Sequence, residues 1–204
     1  WGGAPGSGSI GGASACNLAG PRRIKAGAAR DHFLGIEGVS GRGELFKSGG
    51  RVVKNVTGYD LCKLMAGSFG TLSAMTKVTV KVLPAAEKTR SVLLFGLDDE
   101  TALKAMTLAM QSAYEVSGAA HLPAWGAATS KVGYVAKAGG AVTALRVEGP
   151  GPSVDSRCAA LRKLLSGLGE SEELHSKNSA DFWRELRDAA PFHDMPEKAI
   201  WRLS

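Results

Sequence analysis

The stretch Arg51–Pro84, RVVKNVTGYDLCKLMAGSFGTLSAMTKVTVKVLP, decides how the rest of the chain is read. It begins as a polar turn. Leu61, Leu64 and Met65 then fall at i, i+3 and i+4, the spacing of one apolar helical face, and Asp60 just ahead of them suits a helix start. Gly67-Ser68-Phe69-Gly70 is a hinge. Val78, Val80 and Val82 alternate with Thr79 and Lys81, so the segment after the hinge reads as a strand with one face buried and one wet. A helix passed into a strand through a glycine-flanked hinge is a packed unit, and Pro84 ends it.

Composition changes at that point. Residues 1–84 carry 11 Lys and Arg against 4 Asp and Glu, while residues 85–204 carry 14 against 15. The net charge of +6 therefore belongs to the first segment, which also holds 14 of the 27 glycines within its first 50 residues. A basic, glycine-rich part followed by a neutral, helix-rich part gives two domains, 1–84 and 85–204, and an anionic ligand suits the first. Aromatic residues are 6% of the chain and do not interleave with Lys and Arg, which argues against nucleic acid. No apolar run approaches the roughly 20 residues that cross a bilayer. Cys16, Cys62 and Cys158 form no CxxC pair and read as small buried hydrophobes. His32, His121, His175 and His193 are equally scattered, and a metal enzyme is not indicated.

Upstream of the opening stretch, Ser9-Ile10-Gly11-Gly12 precedes good helix material at Ala13–Leu18. Bare backbone N–H groups at such a start suit a phosphate or a flavin oxygen, although a plain glycine-rich turn reads the same way. No GxGxxG follows a strand, so a Rossmann site is not supported. Arg22-Arg23-Ile24-Lys25 is a basic run that could meet a phosphate or simply face solvent. His32–Val39 and Glu44–Lys47 read as two strands joined by the turn Ser40–Gly43.

Downstream, Ser91–Leu97 is an apolar strand and Asp98 caps a helix running to about Val116. Ala120–Trp125, Lys131–Lys137, Thr143–Glu148 and Glu172–His175 read as strands. Ser153–Leu168 and Asp181–Ala189 read as helices, and Ala199–Ser204 as a further strand. The order β-α-β-(β)-β-α-β is that of a ferredoxin-like α+β sandwich.

Two segments carry a family resemblance. SGSIGGASACNLAGPRRIKAGAARDHFLGIEGVSGRGEL and GGRVVKNVTGYDLCKLMAGSFGTLSAMTKVTVKVLP resemble the FAD-binding subunit of bacterial glycolate oxidase, of the superfamily typified by vanillyl-alcohol oxidase and para-cresol methylhydroxylase. The resemblance is dense over residues 7–84 and looser beyond. It implies an α+β fold: the second half of a two-subdomain FAD-binding (PCMH-type) domain, then a ferredoxin-like cap domain. A further N-terminal subdomain carrying a pyrophosphate loop is implied upstream of Trp1.

The resemblance also implies FAD as cofactor. Ser9, Ile10, Gly11 and Gly12 would meet the flavin and its phosphates, and Arg30 and Asp31 would lie toward the ribityl chain. Gly58 and Tyr59 would sit near the isoalloxazine, and Gly70, Thr71 and Leu72 toward the adenine. Lys77 stands where relatives often carry an acidic residue, and Ser73 where they often carry glycine. The implied reaction oxidises a small 2-hydroxy acid such as glycolate to the 2-oxo acid, with hydride passing to the flavin. No cysteine pattern for an iron–sulfur cluster is present, so electrons would leave through a separate iron–sulfur subunit beside a second flavoprotein subunit. The location implied is cytoplasmic, with any membrane association made through partner subunits. Tyr59, Arg30 and His121 are candidate catalytic groups, none singled out by the sequence. A non-catalytic scaffold subunit of the same complex is the alternative.

Overall fold

The computed structural model describes residues 8–52, 58–193, 195 and 197–201. Chain contacts divide it into two compact units that meet at residues 85 and 86.

The first unit is built on a three-stranded antiparallel sheet of order β2-β1-β3: β1 is Phe33–Ser40, β2 Leu45–Gly49 and β3 Ser73–Val80. The hairpin between β1 and β2 closes through Ser40, whose N–H donates to Glu44 O at 2.9 Å while its carbonyl accepts from Gly43 at 3.0 Å. Gly38, in the central strand, is glycine for a packing reason. A Cβ there would lie 2.8 Å from the Ala74 carbonyl oxygen of the neighbouring strand. Two register shifts interrupt the β1–β3 ladder, and the bulges explain why simple alternation fails along β3. Met75 and Val78 pack toward the core, Val80 is more than a third exposed, and Val82 lies beyond the strand at 81% exposure.

Among the described residues this unit also has four short helices: α1 (Ile10–Ala15), α2 (Arg23–Ala26), α3 (Ala29–His32) and α4 (Leu61–Met65). The glycine pair lies inside the first turn of α1, so that helix starts three residues earlier than the expected Ala13. Ser9 supplies the reason: its hydroxyl accepts from Gly12 N at 3.0 Å and its carbonyl from Ala13 N at 3.0 Å. The buried face of α4 is Cys62 and Met65, and Leu64 points outward at 58% exposure. The apolar spacing of Leu61, Leu64 and Met65 thus named the helix correctly but not its inner face. The core of the unit is Phe33, Ile36, Cys62 and Met65, with Phe46, Ala66, Met75 and Val78 against it.

The second unit is a four-stranded antiparallel sheet with helices on both faces. In chain order it runs β4 (Lys88–Phe95), α5 (Asp99–Gln111), β5 (Gly118–Leu122), α6 (Ala124–Ala128), α7 (Gly133–Ala136), β6 (Val142–Gly149), α8 (Gly151–Leu165), β7 (Ser171–His175) and α9 (Ser176–Arg187). The sheet order is β5-β6-β4-β7. Each β-α-β crossover skips one strand position, and the two crossovers interleave, which is the ferredoxin-like arrangement. β4 is apolar without alternation because both of its faces are covered. Val92 and Leu94 pack under α5 and α8 with Leu145, Val147, Val154, Leu161 and Leu165. Leu93 faces the opposite way, with Val142, Ala144, Leu174, Phe182 and Trp183.

Several expected elements shift. α5 is capped by Asp98, whose carboxylate accepts from Thr101 N at 2.7 Å. It stops at Gln111, short of Val116, where Ser112 turns its hydroxyl back to Ala109 O at 2.6 Å and Glu115 takes a left-handed conformation. The strand expected at Ala120–Trp125 is Gly118–Leu122, and Pro123 begins α6. The strand expected at Lys131–Lys137 is instead the helical turn α7: Val132 and Val135 are buried at a helical spacing and Tyr134 faces out. α8 starts at Gly151, because Pro152 fits the first helical turn. α9 starts at Ser176 and ends at Arg187, before the left-handed Ala189. Residues 199–201 lie in no strand, and 202–204 fall outside the described residues. Cys62 and Cys158 are buried as expected, but Cys16 is exposed. Burial pushes the Cys62 thiol up, and burial followed by the charge of Glu173 pushes Cys158 up to about 11.

Candidate functional site

The residues expected to meet a cofactor in the first unit are tied together around the C-terminal end of α1. The Ala15 carbonyl accepts two N–H groups from the glycine hinge, Gly67 and Phe69, each at 2.9 Å. Two residues on, the Asn17 side chain accepts from Arg30 N at 2.9 Å. The Lys63 ammonium, on α4, donates to Arg30 O at 2.7 Å and Phe33 O at 3.0 Å. Helix α1, helix α3, helix α4 and the hinge are therefore joined in one hydrogen-bonded assembly, in which the hinge N–H groups and the Asn17 and Lys63 side chains satisfy backbone left unpaired by short helices.

Within it, Arg30 has its backbone held at both ends while its side chain is at the surface. Asp31 is turned to the start of its own helix, accepting from Ala28 N at 2.7 Å. Ser9 and Gly12 bond one another, which leaves the Gly12 amide already engaged. Ile10 is 63% exposed and Gly11 is partly covered. Thr71 turns its hydroxyl back to Ser68 O at 2.7 Å, and Leu72 is 46% exposed. Gly70 has φ +76° with open space around it, so glycine is required by backbone conformation. Gly58 and Tyr59 lead into α4, with Tyr59 O accepting from Leu61 N and the ring 92% exposed. Lys54-Asn55-Val56-Thr57, part of the motif that carried the resemblance, lies outside the described residues. His121, in the second unit, sits between Thr143 Oγ1 at 2.8 Å and Asp99 Oδ1 at 3.2 Å.

Asn17, Lys63 and Phe69 were not singled out from the sequence. Asn17 and Phe69 both take positive φ (47° and 54°), and only Asn is a residue type that advertises such a backbone. Lys63 reads as an ordinary surface charge on a helix until its long stem is seen to reach two carbonyls.

What the assembly offers is an exposed apolar set (Ile10, Tyr59, Phe69, Leu72) in a unit whose net charge is strongly positive. Flat apolar groups and cations are the chemistry that FAD, with two ring systems and a pyrophosphate, requires. Separately, Glu37 on β1 stands between Lys77 at 3.2 Å and Lys47 at 3.5 Å. The Lys77 hydrogen bond, more than any other contact, holds its carboxyl below the usual carboxylate range. Lys77 therefore has a local partner in Glu37. Among the described residues no cluster of three metal-ligating side chains occurs, and no helix is long and apolar enough to cross a membrane.

Comparison with known proteins gives the class first. The fold matches part of alkyldihydroxyacetonephosphate synthase with a TM-score of 0.64, covering 89% of this chain and 36% of that one at 18% identity. The fold class expected from the sequence holds: α+β, in the PCMH-type fold, with a ferredoxin-like unit following. Within that class, the chain resembles bacterial glycolate oxidase subunits. It is 34% identical over 197 residues to glycolate oxidase subunit GlcE of Escherichia coli, which covers 95% of this chain and 47% of the relative. It is 40% identical over 84 residues to glycolate oxidase subunit GlcD of Bacillus subtilis, 41% of this chain and 18% of the relative. A D-lactate dehydrogenase of Archaeoglobus fulgidus is 40% identical over 75 residues. The chain thus spans about half the length of the E. coli subunit. No family model matches it.

Proposed function

We propose that this chain is part of an FAD-binding subunit of a glycolate oxidase-type complex, which oxidises a small 2-hydroxy acid to the 2-oxo acid. The observation that carries the reading is the similarity to a glycolate oxidase subunit across 95% of the chain, through both units rather than one. The relatives that match only about 40% of the chain include a D-lactate dehydrogenase and a second glycolate oxidase subunit. Bound FAD would accept the hydride equivalent from the hydroxy acid. The protein's share is to hold and orient the cofactor. In this reading Ser9, Ile10, Gly11 and Gly12 approach the flavin and its phosphates, Arg30 contributes positive charge, and Gly58, Tyr59, Gly70, Thr71 and Leu72 line the remaining path. Asp31 takes a positioning role through Ala28. The domains proposed are 1–84 for the flavin and 85–204 for the substrate side, and the partners are a second flavoprotein subunit and an iron–sulfur subunit.

A second reading has a specific observation in its favour. The candidate catalytic groups are not brought together within either unit: Tyr59 is almost fully exposed, Arg30 is engaged through its backbone, and His121 bridges Thr143 and Asp99. A flavin-fold scaffold subunit, with chemistry on a paralogous subunit, would look like this. One experiment separates the two readings. The full-length protein, purified with its partner subunits, is examined for flavin absorbance and then mixed anaerobically with glycolate and D-lactate. Bleaching of flavin bound to this subunit supports the catalytic reading. Bound flavin that stays oxidised supports the scaffold. A protein that takes up no flavin sinks both.

A further inference from the structure

Four separate parts of the second unit meet around an open hollow of about 610 Å³. Phe95 ends β4, Tyr134 and Lys137 stand on α7 and at its C-terminal cap, Glu170 precedes β7, and Asn178 lies in the first turn of α9. Phe95 and Ala138 supply the apolar part, resting on the buried layer that holds Phe182 and Trp183. Tyr134 adds a ring that is 71% exposed, while Val132 and Val135 take the buried side of the same turn.

The polar groups set this hollow apart. Facing charges elsewhere in the unit close on one another, as Lys88 does with Asp155, Arg90 with Glu173 and Arg157 with Glu115. Lys137 and Glu170 line one hollow yet pair neither with each other nor with any other described residue. The Glu170 backbone is held, its carbonyl accepting from Phe95 N at 3.2 Å, while its carboxylate is left exposed. The Asn178 amide and the Tyr134 hydroxyl are likewise without hydrogen-bond partners among the described residues.

A cleft of this size, with an apolar base and a few polar groups, suits a small molecule, and its charges say which kind. An anion alone would meet Lys137 but also the Glu170 carboxylate, and a cation alone has the converse difficulty. A wholly apolar ligand would take both charges from water and give neither a partner. A zwitterion with a flat apolar body meets every demand. We propose that the hollow binds a free amino acid with an aromatic side chain. Its carboxylate meets Lys137, its ammonium meets Glu170, and its ring lies against Tyr134 and Phe95. Asn178, with two donors and an acceptor, serves either head group. The site lies wholly within the second unit and does not rest on the flavin reading.

The test is calorimetry on the full-length protein with four probes. L-phenylalanine carries every feature, 3-phenylpropionate lacks the ammonium, phenethylamine lacks the carboxylate, and glycine lacks the ring. An exposed charge contact is worth about fivefold in affinity, so wild type should bind phenylalanine about fivefold tighter than either single-headed probe. Lys137→Met should weaken phenylalanine and 3-phenylpropionate about fivefold and spare phenethylamine. Glu170→Gln should weaken phenylalanine and phenethylamine and spare 3-phenylpropionate. Tyr134→Ala should weaken all three ring-bearing probes and leave glycine unchanged. The ligand-free melting temperature of Lys137→Met and Glu170→Gln should stay at the wild-type value. A wild type that does not bind phenylalanine overturns the site. Equal affinity for phenylalanine and 3-phenylpropionate overturns the pairing with Glu170, and the amino-acid assignment with it. Losses that ignore which head group a probe carries, or that come with a lower melting temperature, overturn the direct contacts. Flavin absorbance of the same preparations reads the flavin proposal separately.

Discussion

The two units spend their sequence differently. The second holds its sheet between two apolar layers, with β4 alone contributing Val92 and Leu94 to one side and Leu93 to the other. Among its described residues the first has a core cluster of four buried residues and relies on hydrogen bonds from side chains to backbone, with Asn17, Asp31 and Lys63 all bonding backbone at α3. Helices of four to six residues satisfy few of their own backbone groups, so neighbouring side chains must. The contrast separates two ways of holding a chain in place. Apolar layers make a scaffold that tolerates surface change, whereas a network of single hydrogen bonds places particular backbone atoms and leaves apolar residues free to face a ligand.

The sharpest way to break the comparison is through the core of the second unit. Phe182 is fully buried, and Phe182→Ala should cost about 3–5 kcal/mol, read as a shift in the denaturant midpoint; a change below about 1 kcal/mol would mean that the apolar layers do not carry that unit. A smaller effect tests the exception to the apolar rule. Inside the second layer Ser91 Oγ accepts from Trp183 Nε1 at 2.7 Å and pairs with Ser179 Oγ at 2.8 Å, with Ser91 and Ser179 fully buried. Ser91→Ala leaves both partners without that contact and should cost about 1–3 kcal/mol, while the double change Ser91→Ala, Ser179→Ala should cost less than the two single losses added. Additive losses would show that the hydroxyls do not act as a pair.

The smallest effect is electrostatic and applies to both units. Glu37 in the first, held by Lys77, and Asp98 in the second, held by the Thr101 N–H, both have carboxyls below their ordinary values. A depressed folded-state pKa contributes stability that is present above the ordinary carboxylate value and is lost as pH falls through the folded value. Stability should therefore decline on the acid side, below about pH 4. Both groups are exposed, so salt should weaken the Glu37 contribution more than that of the cap. Glu37→Gln should flatten part of the acid limb in unfolding curves taken across that range. An unchanged limb would show that the lysine pair around Glu37 does nothing for folding.

Much of the fold was legible because local signals and tertiary demands agreed. The Asp98 cap and the hairpin turn at Ser40–Gly43 are local chemistry, and they appear where the residues placed them. The Lys131–Lys137 segment went the other way. Two valines suit a strand by propensity, yet Val132 and Val135 are three apart, a helical spacing, and both are buried in the layer with Leu93. The strand expected around Val78–Val82 runs instead from Ser73 to Val80, the length of its pairing with β1, and the register shifts in that pairing change which residues face inward. The candidate site was legible as a set of segments and much less as a set of roles. Asp31 and Thr71 carry the right chemistry for a ligand but turn to backbone three residues earlier, at Ala28 and Ser68.

For the opening stretch, residues 51–84, the sequence by itself determined a helix, a hinge, a strand and a likeness to flavin-binding oxidase subunits. It did so because periodicity, glycine placement and an unusual run of words are all properties of the chain in order. Only the tertiary structure decided that Cys62 and Met65, not Leu64, face the core, and that the Ala15 carbonyl gathers Gly67 and Phe69. Those outcomes depend on atoms brought together from some 50 residues apart, and a left-handed phenylalanine turned to solvent is visible only once that contact is made.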